Sequence, residues 1–141
     1  MKRLFILVIM LALMPFAGVN AQDARNRVTS TIIADALATL PAETPEAYNK
    51  TMDELAKTGA EGIETICAML RPAAEGVNNS AIEYAIHGVA SYVSEDHLTL
   101  QNGVRAGLKN AINKATNKPI QAFLMTALEV CATAEDAEFF A

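Results

Sequence analysis

The chain has no tryptophan, two histidines and two cysteines among 141 residues, and aromatic side chains make up only 6% of it. These scarcities exclude chemistry first. His87 and His97 have no nucleophile and no metal-ligand set at a fixed spacing, and adding Cys67 and Cys131 does not complete one. Neither catalytic, cofactor-binding nor metal-ligating residues are therefore expected. Sustained period-two alternation is missing, as is any hairpin dipeptide between apolar runs, which excludes a sheet protein. Basic residues are also short: 11 Lys and Arg stand against 16 Asp and Glu, for a formal charge of −5. An acidic, aromatic-poor chain has no electrostatic footprint for nucleic acid. It lacks the basic amphipathic helix that lies on an anionic membrane. Nucleic acid and membrane surfaces are thus not expected partners.

What is present begins at the N-terminus. Lys2 and Arg3 precede an apolar run from Leu4 to Phe16, and Val19-Asn20-Ala21 is an A-x-A-like cleavage site. The run is 13 residues long, short of the roughly 20 needed to cross a hydrocarbon core. Pro15 and Gly18 sit where a processed segment needs extended backbone, and the polar residues Gln22, Asp23, Arg25, Asn26 and Arg27 follow at once. The reading is a signal peptide over residues 1–21, a mature chain from Gln22, and export to the periplasm or beyond the cell. An uncleaved anchor is too short, and no Cys near the site supports a lipoprotein. Removing Lys2 and Arg3 leaves 9 basic against 16 acidic residues, a charge of −7.

In an oxidising compartment Cys67 and Cys131 could form a disulfide. Both fall on apolar helical stripes, Cys67 with Ile63, Ile66 and Leu70, and Cys131 with Leu124, Ala127 and Leu128. The expectation is two buried free thiols on non-adjacent units, each acting as a small hydrophobe.

The mature chain reads as helices in series. Val28 to Leu40 is ended by Pro41. Thr44 is a candidate N-cap with Pro45 behind it, and Tyr48, Met52, Leu55 and Ala56 recur on one face until Gly59. Ile63, Ile66, Cys67 and Leu70 form a third stripe, stopped by Arg71-Pro72. Ser80 to Glu83 has a capping-box pattern ahead of Ile82, Ile86, Val89 and Val93. Ser94, Glu95 and Asp96 are read as the acidic start of a fifth helix carrying Val104, Leu108, Ala111, Ile112 and Ala115. Asn117 and Pro119 open a sixth with Ile120, Leu124, Ala127, Leu128 and Cys131, and Thr133 to Asp136 reads as one more cap.

Short connections place neighbouring helices antiparallel. Helix pairs beginning at 45, 80 and 119 recur at spacings typical of stacked helical units, none of which buries its apolar face alone. The stretch Ala47 to Leu70, with Leu55-Ala56-Lys57-Thr58-Gly59 at its turn and Cys67-Ala68-Met69-Leu70 at its end, resembles a HEAT-type unit. The resemblance extends over residues 45–141, although the later units show no Asp and Arg pair to tie one unit to the next. It implies an all-α fold of antiparallel helix pairs stacked as a short HEAT-like α-solenoid, residues 22–141, after a cleaved signal peptide. From Gln22-Asp23-Ala24-Arg25-Asn26-Arg27-Val28 onward, the chain also resembles the leading part of large exported Bacteroidota proteins. In those, helical repeats precede a domain of the 3-keto-disaccharide hydrolase type.

The remaining candidates read as surface. His87 follows Glu83 by one turn, and His97 sits beside Asp96 at a helix start. The acid pairs Glu43/Glu46, Glu61/Glu64 and Glu135/Glu138 are placed near helix N-termini, where negative charge is favourable. Gly103 and Gly107 admit two readings: a close helix contact, with Gly88 as the facing notch, or simple tolerance in a marginal helix. Asn49-Lys50-Thr51 and Asn78-Asn79-Ser80 match the N-glycosylation pattern, which matters only in a host with the transferase. The ending at Glu138-Phe139-Phe140-Ala141 admits two readings: a short helix tucking both rings onto helix six, or a domain incomplete at its C-terminus. The functional expectation is an exported, non-catalytic scaffold for protein interaction or domain presentation. Its alternative is an N-terminal accessory region of a larger secreted carbohydrate-active enzyme, so the partner is either a separate protein or a downstream domain.

Overall fold

The computed structural model describes residues 16–141, with side chains from Ala21 onward except that of Glu95. The n-region Lys2-Arg3 and all but the last residue of the apolar run lie outside the described residues. Among those described, seven α-helices and one 3₁₀ turn account for all regular structure: α1 (Phe16–Thr39), α2 (Pro45–Lys57), α3 (Gly59–Cys67), α4 (Ser80–Glu95), α5 (Leu98–Lys114), α6 (Lys118–Cys131), the 3₁₀ turn Ala134–Asp136 and α7 (Ala137–Phe140). The all-α expectation holds.

The chain divides into two units, Met1–Thr31 and Ile32–Ala141. In the first, the helix starts earlier than the expected Val28 and runs through Gly18 and the Val19-Asn20-Ala21 site, where extended backbone was expected. Residues 21–27 include Ala21, Gln22, Ala24, Arg25 and Arg27, good helix formers, and no proline or glycine. This stretch is exposed on every side through Val28. Local bonds bridge its turns, as from the Gln22 amide to Asn26 (2.9 Å) and from the Ser30 and Thr31 hydroxyls to the Arg27 carbonyl (2.9 Å each).

The second unit holds the core. Thr44 caps α2 as expected, its hydroxyl accepting from the Ala47 N–H at 3.1 Å with Pro45 at the first position. Gly59, at φ +70°, turns the chain directly from α2 into α3, a conformation that favours glycine. Helix α3 ends at Cys67, three residues short of the expected Leu70, which is nevertheless buried.

The capping box at Ser80 and Glu83 is not formed. Asn79 occupies the N-cap and makes no side-chain cap bond. Its amide accepts from the Arg71 N–H (3.2 Å) and donates to the Arg71 carbonyl (2.7 Å), fastening the preceding loop instead. The expected acidic start of the fifth helix is also corrected, because Ser94 and Glu95 finish α4. The Ser94 hydroxyl donates to the Ser91 carbonyl at 2.7 Å, and His97 is the N-cap of α5. Asn117 caps α6 as expected, accepting from the Ile120 N–H at 3.1 Å.

Packing follows the apolar stripes. Helix α2 lies against α3 and α4, α3 against α5, α4 against α5 and α6, and α5 against α6. Met52, Leu55, Ile63, Ile66, Ile86, Val89, Leu108, Leu124 and Leu128 are almost wholly buried, and Ile33 and Ala36 of α1 join them. Gly103 and Gly107 do serve close contact, against α3. A Cβ on Gly107 would stand 2.7 Å from both the Ala60 carbonyl oxygen and Ile63 Cβ, whereas one on Gly103 would meet Gly59 Cα at 3.3 Å. Gly88 is not the facing notch: its space is filled by Met52 and Tyr48 of α2.

Chemical denaturation should separate the two α5 glycines. Gly107→Ala forces backbone apart and is expected to lose about 1–3 kcal/mol. Gly103→Ala should stay within about 1 kcal/mol of the parent, because the better helix propensity of alanine offsets the tighter contact.

Candidate functional site

Three groupings of side chains stand out from the packed core. The first is a cleft of about 310 Å³ where the ends of α3 and α5 meet the start of α6. Cys67, Leu70, Ala111, Ile120 and Leu124 supply its apolar wall. Glu64 and Lys114 form an ion pair beside it that bridges α3 and α5. The Lys114 ammonium holds the Glu64 carboxyl below its ordinary range. Glu64 thus sits in the body of α3 with a partner on another helix. Near-N-terminal placement does describe Glu46 and Glu61, each in the first turn of its helix. The Gln121 amide donates to the Ile112 carbonyl at 3.2 Å and joins α5 to α6 nearby.

The second is a buried ion cluster. Arg105 and Asp136 are 4% and 0% exposed, and Arg105 Nε donates to Asp136 Oδ2 at 2.6 Å. Arg105 also donates to Asn102 Oδ1 (2.9 Å) and to Glu135 Oε2 (3.4 Å). Lys109 pairs with Asp136 Oδ1, and the Thr133 N–H donates to Oδ2 at 2.9 Å. The Arg105 guanidinium, foremost among these partners, pulls the Asp136 carboxyl far below the usual carboxylate range. An Arg and Asp pair, not found among the later units from sequence, therefore does tie α5 to the segment after α6. Every charge in it is taken up by another, which makes it a fastening rather than a reactive site. Phe139 and Phe140 beyond it are half-buried, packed edge to face at 6.1 Å, with the Lys109 ammonium 5.9 Å from the Phe139 ring centre.

The third is an aromatic ridge on α2 and α4. The Tyr48 and Tyr84 rings meet edge to face at 6.3 Å, and Tyr48 donates its hydroxyl to the Gly88 carbonyl at 3.0 Å. Tyr92 stacks on His97 at 3.9 Å and donates to Asp53 Oδ1 at 3.2 Å. Asp53 is paired with Lys57, whose ammonium holds its carboxyl below the ordinary value. Burial pushes the Tyr92 phenol up, with the Asp53 charge adding to it. His97 is half-buried in this stack, which reading it as a plain surface residue missed; His87 is exposed, as expected. The alignment of Tyr84, Gly88 and Tyr92 at four-residue steps was the available signal.

Cys67 and Cys131 are both buried free thiols, as expected. Burial pushes them up to about 12 and about 11, so neither is a nucleophile near neutral pH. In the folded protein both should resist iodoacetamide at pH 8 and react once guanidinium unfolds the chain, as mass spectrometry would read directly. The sequons lie on accessible backbone, with Asn49 and Asn78 exposed; Asn78 also accepts from the Ser80 N–H at 2.9 Å. Among the described residues, no three His, Cys, Asp or Glu side chains are placed to hold a metal ion. No helix among them is long and apolar enough to cross a membrane.

Comparison with protein-family models, with curated proteins and with solved structures gives no match.

Proposed function

We propose that the protein is an exported, non-catalytic scaffold, a short HEAT-like stack of helix pairs that binds a protein partner or presents a neighbouring domain. The observation that supports it most is the packing order. Helices α2, α4 and α6 succeed one another on one side and α3 packs on α5, as stacking of successive pairs requires. Export rests on Lys2, Arg3, the apolar run and the Val19-Asn20-Ala21 site. The thiols are held protonated, and the buried Arg105 and Asp136 neutralise one another.

The test is a photo-crosslinker placed singly at Met69, Tyr84, His87, Leu98 and Glu138 in source cells, with N-terminal sequencing of the product. A mature N-terminus at Gln22 and a discrete crosslinked species at one or more positions are expected. An unprocessed chain would overturn export, and the absence of crosslinks at all five positions would overturn the scaffold.

A further inference from the structure

We propose that the ridge formed by α2, α4 and the turn into α5 is the docking surface of this scaffold, and that its occupant is a protein segment rich in arginine or lysine. The inference rests on the scaffold reading. All three tyrosines and both histidines of the chain lie here: Tyr48, Tyr84, Tyr92, His87 and His97. A chain with so few aromatic polar residues has gathered them along two helices and one turn. Tyr84, Gly88 and Tyr92 follow one face of α4 over about 12 Å. The rings are fixed in place: Tyr48 by its bond to Gly88, Tyr92 by Asp53 and by the stack on His97, and Tyr84 by its edge-to-face contact with Tyr48. Tyr84 is 38% exposed and Leu98 62%, and His87 is also exposed.

Rigid, part-exposed tyrosines lose little freedom when a partner covers them, and they dominate many protein interfaces. The charges select the partner. On these elements Glu46, Asp53, Glu54, Glu83 and Asp96 outnumber Lys50 and Lys57, and Asp53, which Tyr92 already touches, engages Lys57. Helix α4 carries neither lysine nor arginine. A guanidinium or ammonium laid on a tyrosine face is attracted by the ring and by the neighbouring carboxylates together. The cleft beside Glu64 and Lys114 offers no such selection, because its two charges satisfy each other.

The probe is an eight-residue peptide of alternating arginine and glycine, with a glutamate counterpart as control, titrated into the isotope-labelled protein and followed by amide shifts. Saturable shifts confined to residues 48–57 and 80–98 are expected, with none from the glutamate peptide. Tyr84→Leu should weaken binding roughly two- to fivefold while Tyr84→Phe keeps it, since the π face and not the hydroxyl holds the cation. Shifts spread equally to Glu61, Glu135 and Glu138, or a Tyr84→Leu protein that binds like the parent, would overturn the proposal. In the crosslinking experiment, a partner captured at Met69 or Glu138 but not at Tyr84 or His87 overturns this surface and leaves the scaffold standing. A partner captured at Tyr84 through a segment without arginine or lysine also overturns it.

Discussion

Replacing Asp136 with alanine is expected to destabilise the protein by about 3–5 kcal/mol, measured by urea unfolding, because it strands a buried charge. Arg105 is 4% exposed and cannot reach water without opening the junction between α5 and the segment after α6. Asn102 and Glu135 remain as partners, but neither replaces the 2.6 Å bond to Oδ2. The Thr133 N–H also loses its acceptor. Lys109 is 29% exposed at its side chain and can turn outward. The double variant Arg105→Met/Asp136→Leu should recover much of the loss, since an apolar pair of similar volume avoids the desolvation of both ions. A double variant as unstable as Asp136→Ala would show that the charges themselves, and not their mutual burial, hold the junction.

The same pair gives the protein an acid limb. The carboxyl of Asp136 is lowered in the folded state, chiefly by Arg105, so the stability it adds is complete above the ordinary aspartate value near 4. It is lost progressively as pH falls below that value toward the folded one. Unfolding free energy should therefore decline below about pH 4 in the parent, and the double variant should show a shallower decline.

How far this was legible in sequence depends on the kind of signal. Thr44 and Asn117 were readable as caps because each stands before a proline in the first helical turn, with an apolar stripe behind it. Ser80 with Glu83 carried a different local pattern, a capping box, yet the bond to Arg71, eight residues from Asn79, put Asn79 at the helix boundary. Long-range partners overrode a local preference. Arg105 left a faint trace: it shares a stripe with Leu108 and Ile112, a place where a charge needs a partner. Nothing local names Asp136 as that partner, because the chain brings them together only after α6. The tyrosine ridge lies between these cases, visible as spacing on α4 and invisible in its contact with α2.

Ile66→Asp should abolish cooperative folding at pH 7. Ile66 is 1% exposed and sits with Ile63 and Cys67 on the buried stripe of α3. Keeping an aspartate protonated at pH 7, about three units above its ordinary value, costs about 4 kcal/mol. Loss of the isoleucine side chain from the core costs about 1.5–3 kcal/mol more. The combined loss reaches the lower part of the 5–15 kcal/mol that holds small domains together. Thr65→Asp, one residue away and exposed, is the matching control and should stay within about 0.5 kcal/mol of the parent. Circular dichroism with pH supplies the sign. Helicity of Ile66→Asp should partly return near pH 4, where the carboxyl is half-protonated without cost. Recovery at alkaline rather than acid pH, or a folded Ile66→Asp protein beside an unfolded Thr65→Asp one, would place the wrong face of α3 in the core.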